Sequence, residues 1–224
     1  MCPVPSKMCV AADVAAFRCL AEKELEILLV ERGNDPYKGM WALPGGFVEL
    51  DEDLDDAARR ELKEETGLEP VAISQVGAWG APGRDPRGRT VSAVYLGTTR
   101  AGSDQVEGAD DAAAAGWHPV SSPPALAFDH DEILAACVKE MHRLCERTHL
   151  ALSFLPDSFM PGELATVLKK LGVRHPEDAA ARLISAAEVE QMQGEESGYG
   201  VVADSFLENL REPVLMFPVG NKNR

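Results

Sequence analysis

Residues 46–68 read Gly46-Phe47-Val48-Glu49-Leu50-Asp51-Glu52-Asp53-Leu54-Asp55-Asp56-Ala57-Ala58-Arg59-Arg60-Glu61-Leu62-Lys63-Glu64-Glu65-Thr66-Gly67-Leu68. The pattern predicts a helix that begins near Asp53 and stops at Gly67, a residue suited to the position just past a helix end. On a wheel of about 100° per residue, Glu61, Glu64 and Glu65 share an arc of about 100° with Leu54, Ala57 and Ala58. Asp56, Arg59 and Lys63 fall opposite. An ordinary amphipathic helix turns its apolar residues inward and its charges to water. Here three carboxylates share the inward side, and such crowding is costly unless a positive group joins them. A solvated helix whose charges pair at i, i+4 with Arg60 or Lys63 is the alternative, but it puts the glutamates on the wrong side. Hard divalent cations bind oxygen ligands of this type, and Mg²⁺ favours a few carboxylates plus substrate phosphates. The helix asks for a metal.

Working outward, residues 8–19 and 25–31 read as strands rich in Val and Ile, followed by a Gly/Asn/Pro loop. Residues 70–79 and 90–99 read as further strands, and Trp117-His118-Pro119-Val120 as a short edge strand. Residues 129–148 form a helix with Ile133, Leu134, Cys137, Val138, Met141 and Leu144 on its apolar stripe. Beyond residue 150 the character changes: one helix is expected within 153–173, a second over 175–193, and a helix and closing strand after that. The chain divides into 1–149 and a small, mainly helical extension over 150–224. Strands mixed with two helices give an α/β class with an α/β/α sandwich.

The chain has 224 residues and a net charge of −15, from 22 basic and 37 acidic side chains. That balance disfavours non-specific binding to nucleic acid or an anionic membrane. No apolar run approaches the ~18 residues of a membrane span, and the N-terminus shows no secretory signal. The five cysteines, Cys2, Cys9, Cys19, Cys137 and Cys145, are scattered and lack CxxC spacing. They fit reduced thiols in the cytoplasm rather than disulfides or a zinc site. An acidic protein that handles a phosphate substrate must gather positive charge locally.

Gly46, Glu52, Arg60, Glu61, Leu62, Glu64, Glu65, Gly67 and Leu68 match the Nudix box, GX5EX7REUXEEXGU with U aliphatic, at every specified position. The resemblance implies a mixed-sheet Nudix α/β/α sandwich and a hydrolase that splits the pyrophosphate of a nucleoside diphosphate derivative. It further implies Mg²⁺ or Mn²⁺ held by Glu61, Glu64, Glu65 and the carbonyl of Gly45. Arg60 and Glu52 correspond to the supporting pair, holding loop and helix in register. In some family members the general base is a box glutamate; in others it lies in a later loop. Where relatives read like DDAAEARWF, this chain has Asp110-Asp111-Ala112-Ala113-Ala114-Ala115-Gly116-Trp117-His118, with alanine at the usual Glu and glycine at the usual Arg. Glu107, Asp110 and Asp111 remain the loop candidates, and Asp110 or Asp111 could equally cap a helix.

Gly83-Arg84-Asp85-Pro86-Arg87-Gly88-Arg89 resembles the GRDPRG loop of Nudix ADP-ribose pyrophosphatases and of Nudix-related regulators of NAD metabolism, and Pro82 also resembles the ADP-ribose group. Arg84, Arg87 and Arg89, with Asp85, are expected to recognise phosphate or ribose, in contrast to a solvated turn with surface arginines. Trp41, Trp79 and Trp117 read as core or rim residues, and the five histidines show no ligand spacing. The extension is similar to the winged helix of those regulators, on Leu155-Pro156-Asp157-Ser158-Phe159 before a helix and Arg211-Glu212-Pro213 before a terminal strand. Two functions follow from the resemblance: a Mg²⁺-dependent hydrolase of ADP-ribose, or an ADP-ribose-sensing repressor. The stretch 176–183 carries one arginine against two acids, which argues against DNA. The extension could instead serve a homodimer, a common state among the ADP-ribose relatives.

Overall fold

A computed structural model describes residues 8–20, 22–100, 106, 112–156, 158–186, 189–191 and 199–201. Of the residues singled out above, Cys2, Glu107, Asp110, Asp111, Asp157 and Arg211–Pro213 lie outside these.

The first strand, β1 (Cys9–Cys19), is buried along nearly its whole length. A strand covered on both faces needs no polar alternation, which explains its near-continuous small apolar sequence. Ala12, Val14 and Ala16 point to one side, where they pack with Ala57, Ala58 and Leu62 of helix α1 (Leu54–Thr66). Ala15, Phe17 and Cys19 point to the other, where Ile133, Cys137 and Met141 of α2 (His130–Arg147) close the second layer. The two-residue period of the strand thus builds the α/β/α sandwich directly.

Around β1 the sheet is mixed. Strand β6 (Thr90–Thr98) runs parallel to it from Cys9↔Thr90 to Phe17↔Thr98. Strands β2 (Leu25–Arg32) and β4 (Gly45–Phe47) pair with β1 antiparallel, and β3 (Trp41–Ala42) pairs with β2. Strand β5 (Ala72–Trp79) lies antiparallel on β6, with an irregularity between Gln75 and Gly77. Up to residue 149 the expected elements are recovered, with one correction; the helix and closing strand expected after residue 193 lie outside the described residues, apart from a short strand at 199–201. The edge strand expected at 117–120 is β7, and it runs over Ala112–Pro119. Alanines carry little strand preference, so the sequence gives no local signal there. Pairing with β2 from Glu26↔Pro119 to Arg32↔Ala112 imposes the conformation instead.

Helix α1 begins and ends as its residues dictate. The Asp53 side chain accepts from the Leu54 N–H, and Gly67 takes a left-handed φ of 73° as its N–H returns to the Lys63 carbonyl. The buried stripe is Ala57, Ala58, Leu62 and Thr66. The three glutamates stand at the flank of that stripe rather than at its centre: Glu61 and Glu65 are half-buried, and Glu64, expected on the inward side, is exposed.

The extension adds a 3₁₀ turn at Leu150–Phe154, then β8 (Ser158–Phe159), α3 (Pro161–Lys170), α4 (Pro176–Ala186), β9 (Val189–Gln191) and β10 (Tyr199–Val201). The helix expected to continue to residue 193 ends at Ala186, and β9 follows in a three-stranded sheet ordered β8-β10-β9. Strand pairing again overrides a locally helical composition. No gap separates this part from the rest, since Leu152, Phe154, Leu164, Val167 and Leu168 share one core with Ile133 and Met141. The Lys170 ammonium donates to the carbonyls of Leu20 and, at 2.6 Å, Lys23, tying α3 to the β1–β2 turn. Among the described residues no helix is long and apolar enough to cross a membrane. Truncating the fully buried Leu168 to alanine is expected to cost about 2–4 kcal/mol. Because the core is shared, urea denaturation followed by tryptophan fluorescence should show one shifted transition rather than a separate early one.

Candidate active site

The site forms where the β4 backbone meets the flank of α1. A Cβ at Gly45 would overlap the Ala12 carbonyl and the Asp13 side chain, and one at Gly46 would overlap the Glu61 carboxylate. Bare backbone is therefore required at Gly45 for the turn to lie this close, while at Gly46 a side chain would displace the Glu61 carboxylate. The Gly45 N–H donates to Glu65 at 2.9 Å. Glu61, Glu64, Glu65, Gly45 and Gly46 line one side of a cleft of about 480 Å³, a size that admits a small-molecule ligand.

Burial raises the Glu61 carboxyl, with Arg60 acting against it and the Glu64 and Glu52 charges adding to it. Glu65 is pushed up to about 8, first by burial and further by Glu61 and Asp13, while the Gly45 N–H pulls the other way. These are the signs expected of crowded carboxylates short of counter-charge. The nearest positive group is Arg60. Its Nη1 sits between Glu61, at 2.8 Å, and Glu64, at 3.0 Å. Its Nε and Nη2 grip Glu52 at 2.7 and 2.8 Å, and Nη2 also reaches the Phe47 carbonyl at 3.3 Å. Arg60 and Glu52 thus join the loop after β4 to α1, the supporting arrangement that the family resemblance implies. The i, i+4 pairing weighed at the outset as a rival to metal binding is present as Arg60–Glu64.

Among the described residues, no three carboxylate, imidazole or thiol groups are already gathered around one point. The donor set nevertheless suits a hard divalent cation. Three carboxylates and the Gly45–Gly46 turn border one cleft, and two of the carboxylates have raised pKa values that a cation would reverse.

The opposite wall comes from the loop over residues 80–89 and the start of α2. Arg84 reaches inward and forms a two-pronged pair with Asp129, at 2.9 and 2.6 Å, with its guanidinium 3.8 Å from Asp13. Asp85 is buried and accepts from both the backbone and the guanidinium of Arg87, which sets the turn. Arg84, Asp85 and Arg87 line the cleft; Arg89 does not, and donates to the Thr90 carbonyl at 3.3 Å.

Three residues here carry no motif of their own. Asp13, in the middle of an apolar strand, accepts from Ser92 Oγ and lies beside Arg84 and His130. An aspartate in an otherwise apolar buried strand is the signal that could have exposed it. Asp129 anchors Arg84. His130, which received no role from spacing, is fully buried and accepts the Leu43 N–H on Nδ1 at 2.9 Å. Burial lowers its pKa, Arg84 and Arg32 add to that, and Asp13 and Asp129 oppose it. Accepting at Nδ1 leaves the proton of the neutral ring on Nε2, 3.9 Å from Asp13. The ring holds the Leu43-Pro44-Gly45 turn from behind.

The Glu65 shift makes a stability prediction. Between its ordinary 4.5 and about 8 the folded chain keeps a proton that the unfolded chain releases, so this group's contribution to stability falls as pH rises through that window and is flat above it. Glu65→Gln cannot ionise and keeps an acceptor for Gly45. In EDTA, it is expected to stabilise the protein by about 2 kcal/mol at about pH 9, after discounting for partial exposure, and by nothing measurable near pH 4. Denaturant titrations at the two pH values check this.

The sequence between residues 11 and 137 matches the NUDIX domain. An ADP-ribose pyrophosphatase of Methanocaldococcus jannaschii is 44% identical over 115 residues, which make up 51% of this chain and 67% of that protein. The ADPR responsive transcriptional repressor NtrR of Acinetobacter baylyi is 32% identical over 187 residues, 80% of this chain and 73% of its own. In structure, Shewanella oneidensis NrtR complexed with a 27mer DNA superposes with a TM-score of 0.71 at 25% identity, covering 88% of this chain and 94% of that one. With the box complete and the α/β/α sandwich in place, this chain belongs to the Nudix family of hydrolases.

Proposed function

We propose that the protein is a Mg²⁺-dependent hydrolase of nucleoside diphosphate derivatives, with ADP-ribose, cleaved to AMP and ribose 5-phosphate, as its substrate. One observation carries this reading: Glu61, Glu64 and Glu65 border a single cleft with Gly45, and Arg84 and Arg87 of the 83–89 loop line the same cleft. The similarity to an ADP-ribose pyrophosphatase supports the choice of substrate.

Glu61, Glu64, Glu65 and the Gly45 carbonyl would hold Mg²⁺ or Mn²⁺. When bound, such an ion offsets charge on the phosphates and lowers the pKa of a water. The protein's own residues do the rest. Glu52 fixes Arg60, and Arg60 keeps Glu61 and Glu64 from repelling one another out of register. His130 and Asp13 hold the Leu43–Gly45 turn, which presents the Gly45 N–H to Glu65 and keeps that carboxylate aimed into the cleft. The Arg84 side chain is buried and its charge is met by Asp129 and Asp13, so Arg87, set by Asp85 and far more exposed, is the arginine left to meet the substrate. We place the general base on a box glutamate or on Glu107, Asp110 or Asp111. We assign the hydrolase to residues 1–149, the appended unit to 150–224, and the protein to the cytoplasm, in keeping with the free thiols of Cys9, Cys19, Cys137 and Cys145.

Incubation of ADP-ribose with Mg²⁺ should yield AMP and ribose 5-phosphate, and Glu65→Gln should lower the rate by about 10²-fold or more. A variant that stays fully active removes Glu65 from the metal site.

A second reading, an ADP-ribose-sensing repressor, has one observation in its favour: the similarity to NtrR and NrtR runs beyond residue 150. Charge opposes it. Residues 151–224 carry seven basic and eleven acidic side chains, and α4 has Arg182 against Glu177 and Asp178. DNA affinity depends on neutralising phosphates. No mobility shift is expected with the chain's own upstream DNA at about 0.15 M salt; a discrete shift there would establish the repressor reading.

A further inference from the structure

Four side chains form a ladder of alternating cation and ring across the mouth of the cleft. The Arg32 guanidinium lies 4.8 Å from the centre of the Phe128 ring. Arg87 lies 5.7 Å from the same ring and 5.0 Å from Phe47. All four line the cleft. Tyr37 closes on Phe128 edge-to-face at 4.7 Å. The Phe128 end is braced from several sides, whereas Phe47 is 43% exposed and the Arg87 side chain 45%.

Two features set this ladder apart from ordinary surface packing. Tyr37 and Phe128 both adopt left-handed backbone, at φ 64° and 56°. Bulky residues rarely adopt it, and such outliers gather where a ligand is clamped. Arg87, meanwhile, is a poor phosphate fork. Its Nε and Nη2 both donate to Asp85, at 3.1 and 2.8 Å, so one edge of the guanidinium is already occupied. What it offers the cleft is a flat cationic face beside an exposed ring. A face of that kind recognises a planar heteroaromatic base by stacking, without reading its edges.

We propose that the exposed Phe47–Arg87 end of this ladder is the platform on which the base of the nucleoside diphosphate stacks. It stands one residue beyond the Gly45–Gly46 turn, so a base held there leaves its phosphates beside Glu61, Glu64 and Glu65. The proposal rests on the hydrolase reading only for where the diphosphate lies. Arg32 and Phe128 act as positioning residues, Phe128 lying near Arg87 and Arg32 lying over Phe128.

The test is calorimetric titration of the full chain, with Mg²⁺ present, by AMP and separately by ribose 5-phosphate, which lacks a base. Phe47→Ala is expected to weaken AMP by about 5–30-fold and ribose 5-phosphate by less than about twofold. Phe47→Trp keeps a stacking surface and should hold AMP within about threefold of the parent. Equal AMP affinity in the parent and in Phe47→Ala overturns the proposal, as does a parent that binds AMP no more tightly than ribose 5-phosphate. Hydrolysis separates the two readings. AMP binding lost in Phe47→Ala while the parent leaves ADP-ribose uncut supports the platform and removes the hydrolase. ADP-ribose cut with a KM that Phe47→Ala does not move removes the platform and leaves the hydrolase.

Discussion

The close approach of the Gly45–Gly46 backbone to α1 is the constraint from which the rest of the site follows. Without side chains at these two positions, the turn after β3 can lie between β1 on one side and the Glu61 and Glu65 carboxylates on the other. That contact ties Glu65 to the turn through the Gly45 N–H, which pulls its pKa down while burial pushes it up to about 8, and it fixes the cleft's glutamate wall relative to the sheet. It also explains why polar groups collect behind the turn. Asp13 lies against Gly45, His130 accepts from Leu43, and Arg84 and Asp129 complete a network that satisfies these buried charges. A crowded polar interior is tolerable only when each member has a partner. Here the partners come from four elements, which makes the turn rigid.

Much of this was legible in the sequence because it rests on local spacing. The bounds of α1 follow from Asp53 and Gly67, and the apolar stripe of α2 from its period. The box residues stand out because function required charges where periodicity asked for apolar groups. What the sequence hid depends on long-range pairing. Alanines 112–115 carry no strand signal and become β7 only because β2 offers an open edge. Asp13, Asp129 and His130 belong to no short motif, and only the folded chain brings them together. The arginine loop was visible as a cluster of charge, but its division of labour was not. Arg84 is turned inward to Asp129, Arg87 lies near the rings of Phe47 and Phe128, and Arg89 does not line the cleft.

The extension shows how one fold outline can carry different surfaces. Its two helices and small sheet follow the course seen in a DNA-bound relative, yet its charge is acidic. Its apolar side is built into the core below α2, so its presence here is explained by packing alone. A part that completes a hydrophobic core contributes to stability whatever its outer face does.

Arg60 has a further meaning besides its structural one. Because its guanidinium already stands between Glu61 and Glu64, the glutamate cluster is never a bare anionic hole. On the hydrolase reading, Glu61 and Glu64 would have to release Arg60 to hold a cation, and Glu52 would still keep that side chain through its Nε and Nη2.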